Sequence, residues 1–352
     1  MLYNYTDCQF NQKRKNMLFS VKTYGRAGLL GNPSDGYYGK TIALALSDFP
    51  CTVTIYESPE IRIEHNREDN SEFSGLSAMV KEIERFGYYG GVRLVKATIR
   101  QFYKYCVKHD IDLPRRNFTI RYSSKVPQLV GMGGSSAICT ATFKALVKFY
   151  EVADKIPFEM WPTLCWQAEQ DLGIQCGMQD RVIQIYDGLM YMDFSEDYFK
   201  ANDHGIYERL SPDRLPKLYI AYAPDRAEFS GIYHYKLRVL YDEKKRDLVQ
   251  AMSEFAEYAR LGRDAIIAGQ HEKLAELINM NFDLRCRVLK VAEENAQMVF
   301  TARKAGASAK FAGSGGAIIG TYEDETMFER LRMELEAIGC NVLSARIALP
   351  QN

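Results

Sequence analysis

Apolar and polar positions change rhythm repeatedly along the chain, and each rhythm predicts an element. "NMLFSVKTYGRAGLLG" (16–31) predicts a strand running into a turn. "TIALALSDFPCTVTIYE" (41–57) and "EIRIEH" (60–65) are β-branched or alternating, which predicts antiparallel strands. "GLSAMVKEIERFG" (75–87) and "GGVRLVKATIRQFYKYCVKHD" (90–110) space their apolar residues as helices do; Gly91 opens the second and "DIDLP" closes it. "NFTIRYSSKVP" is a predicted strand, and a helix is expected from near Ser135 through "ICTATFKALVKFY". "PFEMWPTLCWQAEQDLG" predicts a helix stopped at Gly173, and "GMQDRVIQIYDGLMYMDF" a short helix followed by a strand.

Between 200 and 216 the texture turns polar, "KANDHGIYERLSPDRLP", with prolines at 212 and 216. The domain boundary is expected there. The division is an N-terminal extension, 1–16, whose order the pattern leaves open, then a first domain, 17–205, and a second, 206–352. "KLYIAYAP" opens the second with a strand, and helical stretches follow over roughly 231–260 and 263–290. The end predicts helix, glycine turn, strand ("GAIIGTYE"), helix ("ETMFERLRMELEAIG") and strand ("NVLSARIAL"). Strands and helices mixed without regular βαβ alternation argue for an α+β fold.

Composition narrows the function classes. Lys plus Arg (45) balances Asp plus Glu (45), so no basic excess argues for nucleic acid, and a neutral or small anionic partner is expected. The eight cysteines are scattered without a CxxC pair or Cys/His cluster, which suits a reducing cytoplasm and not a disulfide framework or zinc site. No apolar run approaches the ~18 residues of a membrane span. The polar opening "MLYNYTDCQFNQKRKN" lacks the core of a signal peptide, so export is not expected.

The chemistry concentrates in "PQLVGMGGSSA" (127–137). Glycines let the backbone approach a ligand, and the helix behind them presents free amides and a positive dipole end, the ordinary setting for phosphate. Ser135 and Ser136 add hydroxyls for a phosphate oxygen or a phosphate-bound Mg²⁺. The plain alternative is a helix cap with a flexible approach. Two better-known phosphate motifs fail. Ser136 stands at the third glycine of a dinucleotide fingerprint, and the next acid, Glu151, falls at the end of the same helix. "SDGYYGKT" imitates a Walker loop, but Ser34 replaces its first glycine and strand-like "TIALAL" follows.

Two further glycine turns complete the set: "RAGLLGNPSDGYYGK" after the first strand and "KFAGSGGAIIG" near the C-terminus. The three, in this order, resemble the GHMP kinases. The family's second motif aligns with Pro127, Gly131, Met132, Gly133, Gly134, Ser135 and Ser136, and its third with Lys310, Gly313, Gly315 and Gly316. Blocks such as "GYYGGVRL", "GMQDRV" and "NMNFDLR" are similar to the family's glucuronokinase branch.

The resemblance implies a two-domain α+β fold, with an N-terminal domain like ribosomal protein S5 domain 2 and a ferredoxin-like C-terminal domain. It implies an ATP- and Mg²⁺-dependent sugar 1-kinase with a uronic acid acceptor, as a monomer or homodimer without nucleic acid or membrane partners. The family's other acceptors (galactose, a heptose phosphate, an isoprenoid alcohol) and a non-catalytic binding protein on the same fold are the alternatives.

The resemblance also assigns roles. ATP would sit on Pro127, Gly131, Gly133, Gly134, Ser135, Ser136 and Ala137. Glu169 and Ser135 would hold the metal, with Ser136 the alternative to Ser135; Glu169 could instead be a solvated helix residue. Asp180, eleven residues on, would be the general base or the group orienting the acceptor hydroxyl, and could also cap "RVIQIY". Arg26 would stabilise the transferring phosphoryl group, or simply end a strand. For the sugar the candidates are Asp35, Tyr38, Tyr89 and Gly315, with Arg93, then Arg226, for its carboxylate. Asn32 and Pro33 replace the acid and histidine of the family's first motif.

Overall fold

The structure is a computed structural model that describes residues 17–64, 75–76, 90–226, 237–239, 241–243 and 245–350. The predicted helix at 75–87 lies almost wholly outside the described residues. Two long antiparallel strands, β1 (Leu18–Leu30) and β2 (Lys40–Ser58), form the spine of the first sheet. On its other edge β2 pairs in two halves. Residues 51–58 run against β4 (Asn117–Ser124), and 40–44 against β5 (Leu189–Asp193). Pro50, which has no amide to donate, sits between the halves where the β1–β2 register slips. The sheet ends with β6 (Ile206–Leu210) beside β5 and β3 (Arg62–Ile63) beside β4.

One expectation is corrected here: β3 pairs parallel to β4, not antiparallel. β6 is hydrogen-bonded to β5, so the change of sheet comes after Leu210. The polar residues of β6 mark a half-exposed edge strand, not a linker.

Four helices build the layer behind the spine: α1 (Gly91–Lys108), α2 (Gly134–Tyr150), α3 (Trp161–Gln170) and α4 (Gln179–Tyr186). α2 and α4 lie directly on β1 and β2, while α1 and α3 pack on α2. Twelve of the seventeen residues of α2 are buried, so it is a core helix, with Gly134 and Ser135 partly open at its N-terminus. A short α5 (Glu196–Asn202) follows β5.

The second sheet is antiparallel, in the order β10 (Asn341–Ser344), β7 (Leu218–Tyr222), β9 (Ala317–Thr321), β8 (Lys310–Phe311). It carries α6 (Arg246–Ala268), α7 (His271–Val288), α8 (Glu293–Lys304) and α9 (Glu325–Glu336). The break between the long helices falls at Gly269, which takes a left-handed conformation (φ +68°), not near 261–262 as the pattern suggested. Gly262 continues the helix and is buried where α6 presses on Leu30 of β1. The fold is thus α+β, and one core cluster spans both sheets, from Leu44 and Val53 to Ile220, Phe255, Leu277 and Ile319. No helix among the described residues is long and apolar enough to cross a membrane.

Candidate active site

The three glycine turns meet at one place. Gly133, left-handed at φ +75°, caps α2, and Gly131, Gly133, Gly134 and Ser135 remain partly open while most of the helix behind them is buried. The first turn of α2 contains no acidic residue of its own, and helix N-termini of this kind favour anions. Gln184 of α4 steadies the loop by donating Nε2–H to the Gly133 carbonyl at 2.8 Å. The third turn closes on the second so tightly that a Cβ on Gly313 would collide with the Gly131 carbonyl. Arg285 of α7 holds that third turn, donating to the carbonyls of Gly313 (3.0 Å) and Ser314 (2.6 Å). Gly315 stands in the same turn at φ +157°, and the Gly315 carbonyl approaches Gly131.

Arg26 ties all three turns together. Its main-chain amide donates to Met132, and Nη1 reaches the carbonyls of Gly131 (2.5 Å) and Ala312 (3.1 Å). The remaining edge of the guanidinium grips Asp180, Nε to Oδ1 at 2.5 Å and Nη2 to Oδ2 at 2.7 Å. Of its five N–H groups at most one stays available to a phosphoryl oxygen. Asp180 therefore faces the glycine loops as a clamped, oriented carboxylate. It lies in the first turn of α4, two residues beyond the N-cap position, which is filled by Met178. The cap expected of Asp180 is corrected accordingly: its oxygens are taken by Arg26, not by the helix amides.

Glu169 is wholly buried, not solvated. Its Oε1 accepts the Ser135 hydroxyl at 2.9 Å, and Oε2 is gripped by Arg181 through Nε (2.5 Å) and Nη2. Ser136 is turned away, its hydroxyl donating back to the Gly133 carbonyl at 3.0 Å. Ala137 is buried, its amide bonded to Gly133 and its carbonyl to Thr23, while Pro127 lies in the turn before the loop. A serine hydroxyl and a carboxylate oxygen in contact are a fitting hard-oxygen pair for Mg²⁺, which completes its shell with water and phosphate oxygens.

Asp35 lies on a 3₁₀ turn (Ser34–Tyr37) and accepts the Gln179 amide at 3.0 Å, beside Asp180 and Gly177. Burial, reinforced by the negative charge of Asp180, pushes its carboxyl up to about 6. Tyr38 follows on the exposed rim, edge-on to Phe199 at 6.4 Å. Arg93 is exposed in the first turn of α1. Tyr89 and the side chain of Arg226 lie outside what is described. The Walker-like decoy resolves as expected: Lys40 opens β2 and pairs with Asp193.

Three contributors escaped sequence reasoning: Arg181, Gln184 and Arg285. Arg181 had a signal, a cation next to a candidate catalytic acid. The other two had none, because their partners are loop carbonyls 51 and 28 residues away in sequence. Lys310, matched as a motif residue, is sealed under the first turn, donating to Gly28, Phe311 and Asn32 Oδ1. Burial, and the nearby Arg285 and Arg26, press its pKa well below the usual lysine value.

Comparison with known proteins shows which family the chain resembles. The profile of the GHMP kinases N terminal domain matches residues 93–188, which include the α2 loop and Asp180. Arabidopsis thaliana glucuronokinase 1 is 38% identical over 85% of this chain and 83% of its own length. The probable glucuronokinase 2 of the same plant is 38% identical over 87% and 85%. Among solved structures, Streptococcus pneumoniae phosphomevalonate kinase, in complex with phosphomevalonate and AMPPNP, superposes with a TM-score of 0.74. It is 14% identical, and the match covers 94% of this chain and all of that one, a likeness of fold. The chain belongs to the GHMP kinase family. It is a phosphotransferase that uses ATP and an alcohol group as acceptor.

Proposed function

We propose that this chain phosphorylates the anomeric hydroxyl of D-glucuronate with Mg²⁺-ATP, giving ADP and D-glucuronate 1-phosphate. The carrying observation is the Arg26–Asp180 clamp, which fixes a carboxylate at the meeting point of three glycine turns with Asp35 alongside. The acceptor rests on the two glucuronokinases, each matched over more than four fifths of its length.

The residues divide the work. Gly131, Gly133, Gly134 and Ser135 hold the triphosphate on the open end of α2. Ser135 and Glu169 would hold Mg²⁺, which neutralises charge on the phosphates when bound. Arg181 holds one oxygen of Glu169 and leaves the other directed at Ser135. Asp180 is held by Arg26 through both oxygens. It orients the acceptor hydroxyl and takes its proton late, which suits a loose phosphoryl transfer in which the nucleophile is little charged until the bond to phosphorus forms. Asp35 accepts sugar hydroxyls, and Tyr38 offers a ring face to the sugar's C–H side.

The reading also includes two structural units divided after Leu210. Its site is cytoplasmic, a setting supported by seven free cysteines among the described residues. ADP release measured against a panel of uronic acids, neutral hexoses, heptose phosphates and isoprenoid alcohols tests it. Turnover of D-glucuronate above all others is expected; preference for another acceptor, or turnover of none, sinks it.

A further inference from the structure

A uronic acid brings its own negative charge, so the acceptor pocket needs a cation that no protein carboxylate already holds. This inference rests on the glucuronate reading above. Among the described residues, most cations near the Asp35–Asp180 cluster are committed. Arg26 is divided between Asp180 and two carbonyls, and Arg181 holds Glu169 and the Gly177 carbonyl. Arg285 serves Gly313 and Ser314, and Lys310 is buried beneath the first turn. Lys40 pairs with Asp193, and Lys200, near the Tyr38 ring, pairs with Glu196 at 2.7 Å.

Arg238 is engaged differently. Its Nη2 donates to the carbonyl of Gly36, the residue after Asp35, at 3.1 Å. The guanidinium carbon lies 4.9 Å over the ring of Tyr37, against which Tyr241 packs at a tilt, with ring centroids 4.5 Å apart. Its one carboxylate neighbour among the described residues, Asp242, lies 3.9 Å away, an ion pair without a hydrogen bond and so the loosest hold among these cations, and the side chain is 37% exposed. A guanidinium has five N–H donors in a planar fork that matches a carboxylate. One of these anchors Arg238 to the turn that carries Asp35, and the aromatic face limits its rotation.

We propose that Arg238 is the specificity-determining residue that reads the acceptor's carboxylate, exchanging its loose pairing with Asp242 for a two-pronged contact with the sugar. The sugar then spans from Asp180 at its reacting hydroxyl, past Asp35, to Arg238 at its acid end. Arg93, the foremost candidate from sequence, is not required for this.

The test compares D-glucuronate with D-glucuronamide, whose acid is replaced by a neutral amide, using the full chain. Arg238→Gln is expected to lower the ratio of kcat/KM for glucuronate over glucuronamide by about 10- to 100-fold, chiefly through KM. Arg238→Lys should retain part of the preference, because it keeps the charge and loses the fork. Calorimetric titration of glucuronate into both proteins should show the same weakening without turnover. A ratio unchanged within about twofold in Arg238→Gln overturns the assignment. Equal losses on both acceptors also overturn it, since they report a disturbed turn around Tyr37. A wild-type protein that turns over neither uronate nor its amide overturns the acceptor reading itself, and this assignment with it. Wild-type activity with an unchanged variant overturns only Arg238's role.

Discussion

The two ends of the candidate site, the one proposed for phosphoryl transfer and the one proposed for the acceptor, are built on different physical terms. At the first, Arg26–Asp180 and Arg181–Glu169 are nearly or wholly buried ion pairs, with side-chain exposures of 7/16% and 3/0%. They hang from β1, α3 and α4, elements locked into the main core. At the second, Asp35 and Tyr38 sit on or beside a four-residue 3₁₀ turn, and Arg238 reaches over it with a half-open guanidinium. Buried pairs cost desolvation and hold geometry; open ones hold geometry loosely and leave charge for a ligand. Charge transfer to a phosphate needs atoms fixed in advance, whereas acceptor choice needs groups free to meet a new partner. The molecule assigns each requirement to a matching kind of structure.

The strongest challenge to this contrast is Asp180→Asn. It keeps the shape and removes the charge, and kcat measured by ADP release should fall by about 100- to 10,000-fold with the KM for ATP little moved. An unchanged kcat would mean the clamp is structural. Next, Arg181→Met strands the charge of Glu169 in the core, and thermal or urea unfolding should show a loss of about 3–5 kcal/mol. The same change at exposed Lys200, paired with Glu196, should cost about 0–1 kcal/mol. Equal losses would erase the distinction between the two kinds of pair.

Gly313→Ala drives a methyl into the Gly131 carbonyl. It should destabilise by about 1–3 kcal/mol and raise the KM for ATP more than that for the acceptor, because the loops that meet there belong to the phosphate side. The smallest effect is on pH. Burial holds the Asp35 carboxyl at about 6, above its ordinary 3.8. Its ionised form is therefore present above about pH 6 and lost below it, when a proton occupies one of the oxygens that accept sugar hydroxyls. The acceptor's kcat/KM should fall about tenfold for each unit below pH 6, and Asp35→Asn should lower and flatten that limb. A profile flat down to about pH 4 would show that Asp35 titrates as an ordinary carboxylate.

Much of the catalytic half was legible because it is written in local signals. Glycines before a core helix, Ser135, and acids eleven residues apart at 169 and 180 declare themselves within a few turns of chain. The acceptor half was less legible: Asp35 and Tyr38 were singled out, while Arg238 was not, since its partner Gly36 lies 202 residues away. Sequence rhythm also misjudged β3, whose parallel partner is chosen by sheet assembly, and Gly262, a helix breaker by propensity that is kept helical by close packing on Leu30.

By itself, the amino-acid sequence determined the order of nearly all elements and the positions of the glycine-rich turns, because these follow from short-range periodicity and backbone freedom, and the motifs in those turns carried the family resemblance. Tertiary structure alone decided that Arg26 clamps Asp180 across 154 residues and that Arg181 takes one oxygen of Glu169. It alone decided that the third glycine turn closes on the second. Pairings of this kind depend on which surfaces are driven together when the core is buried, and no local preference of the chain specifies them.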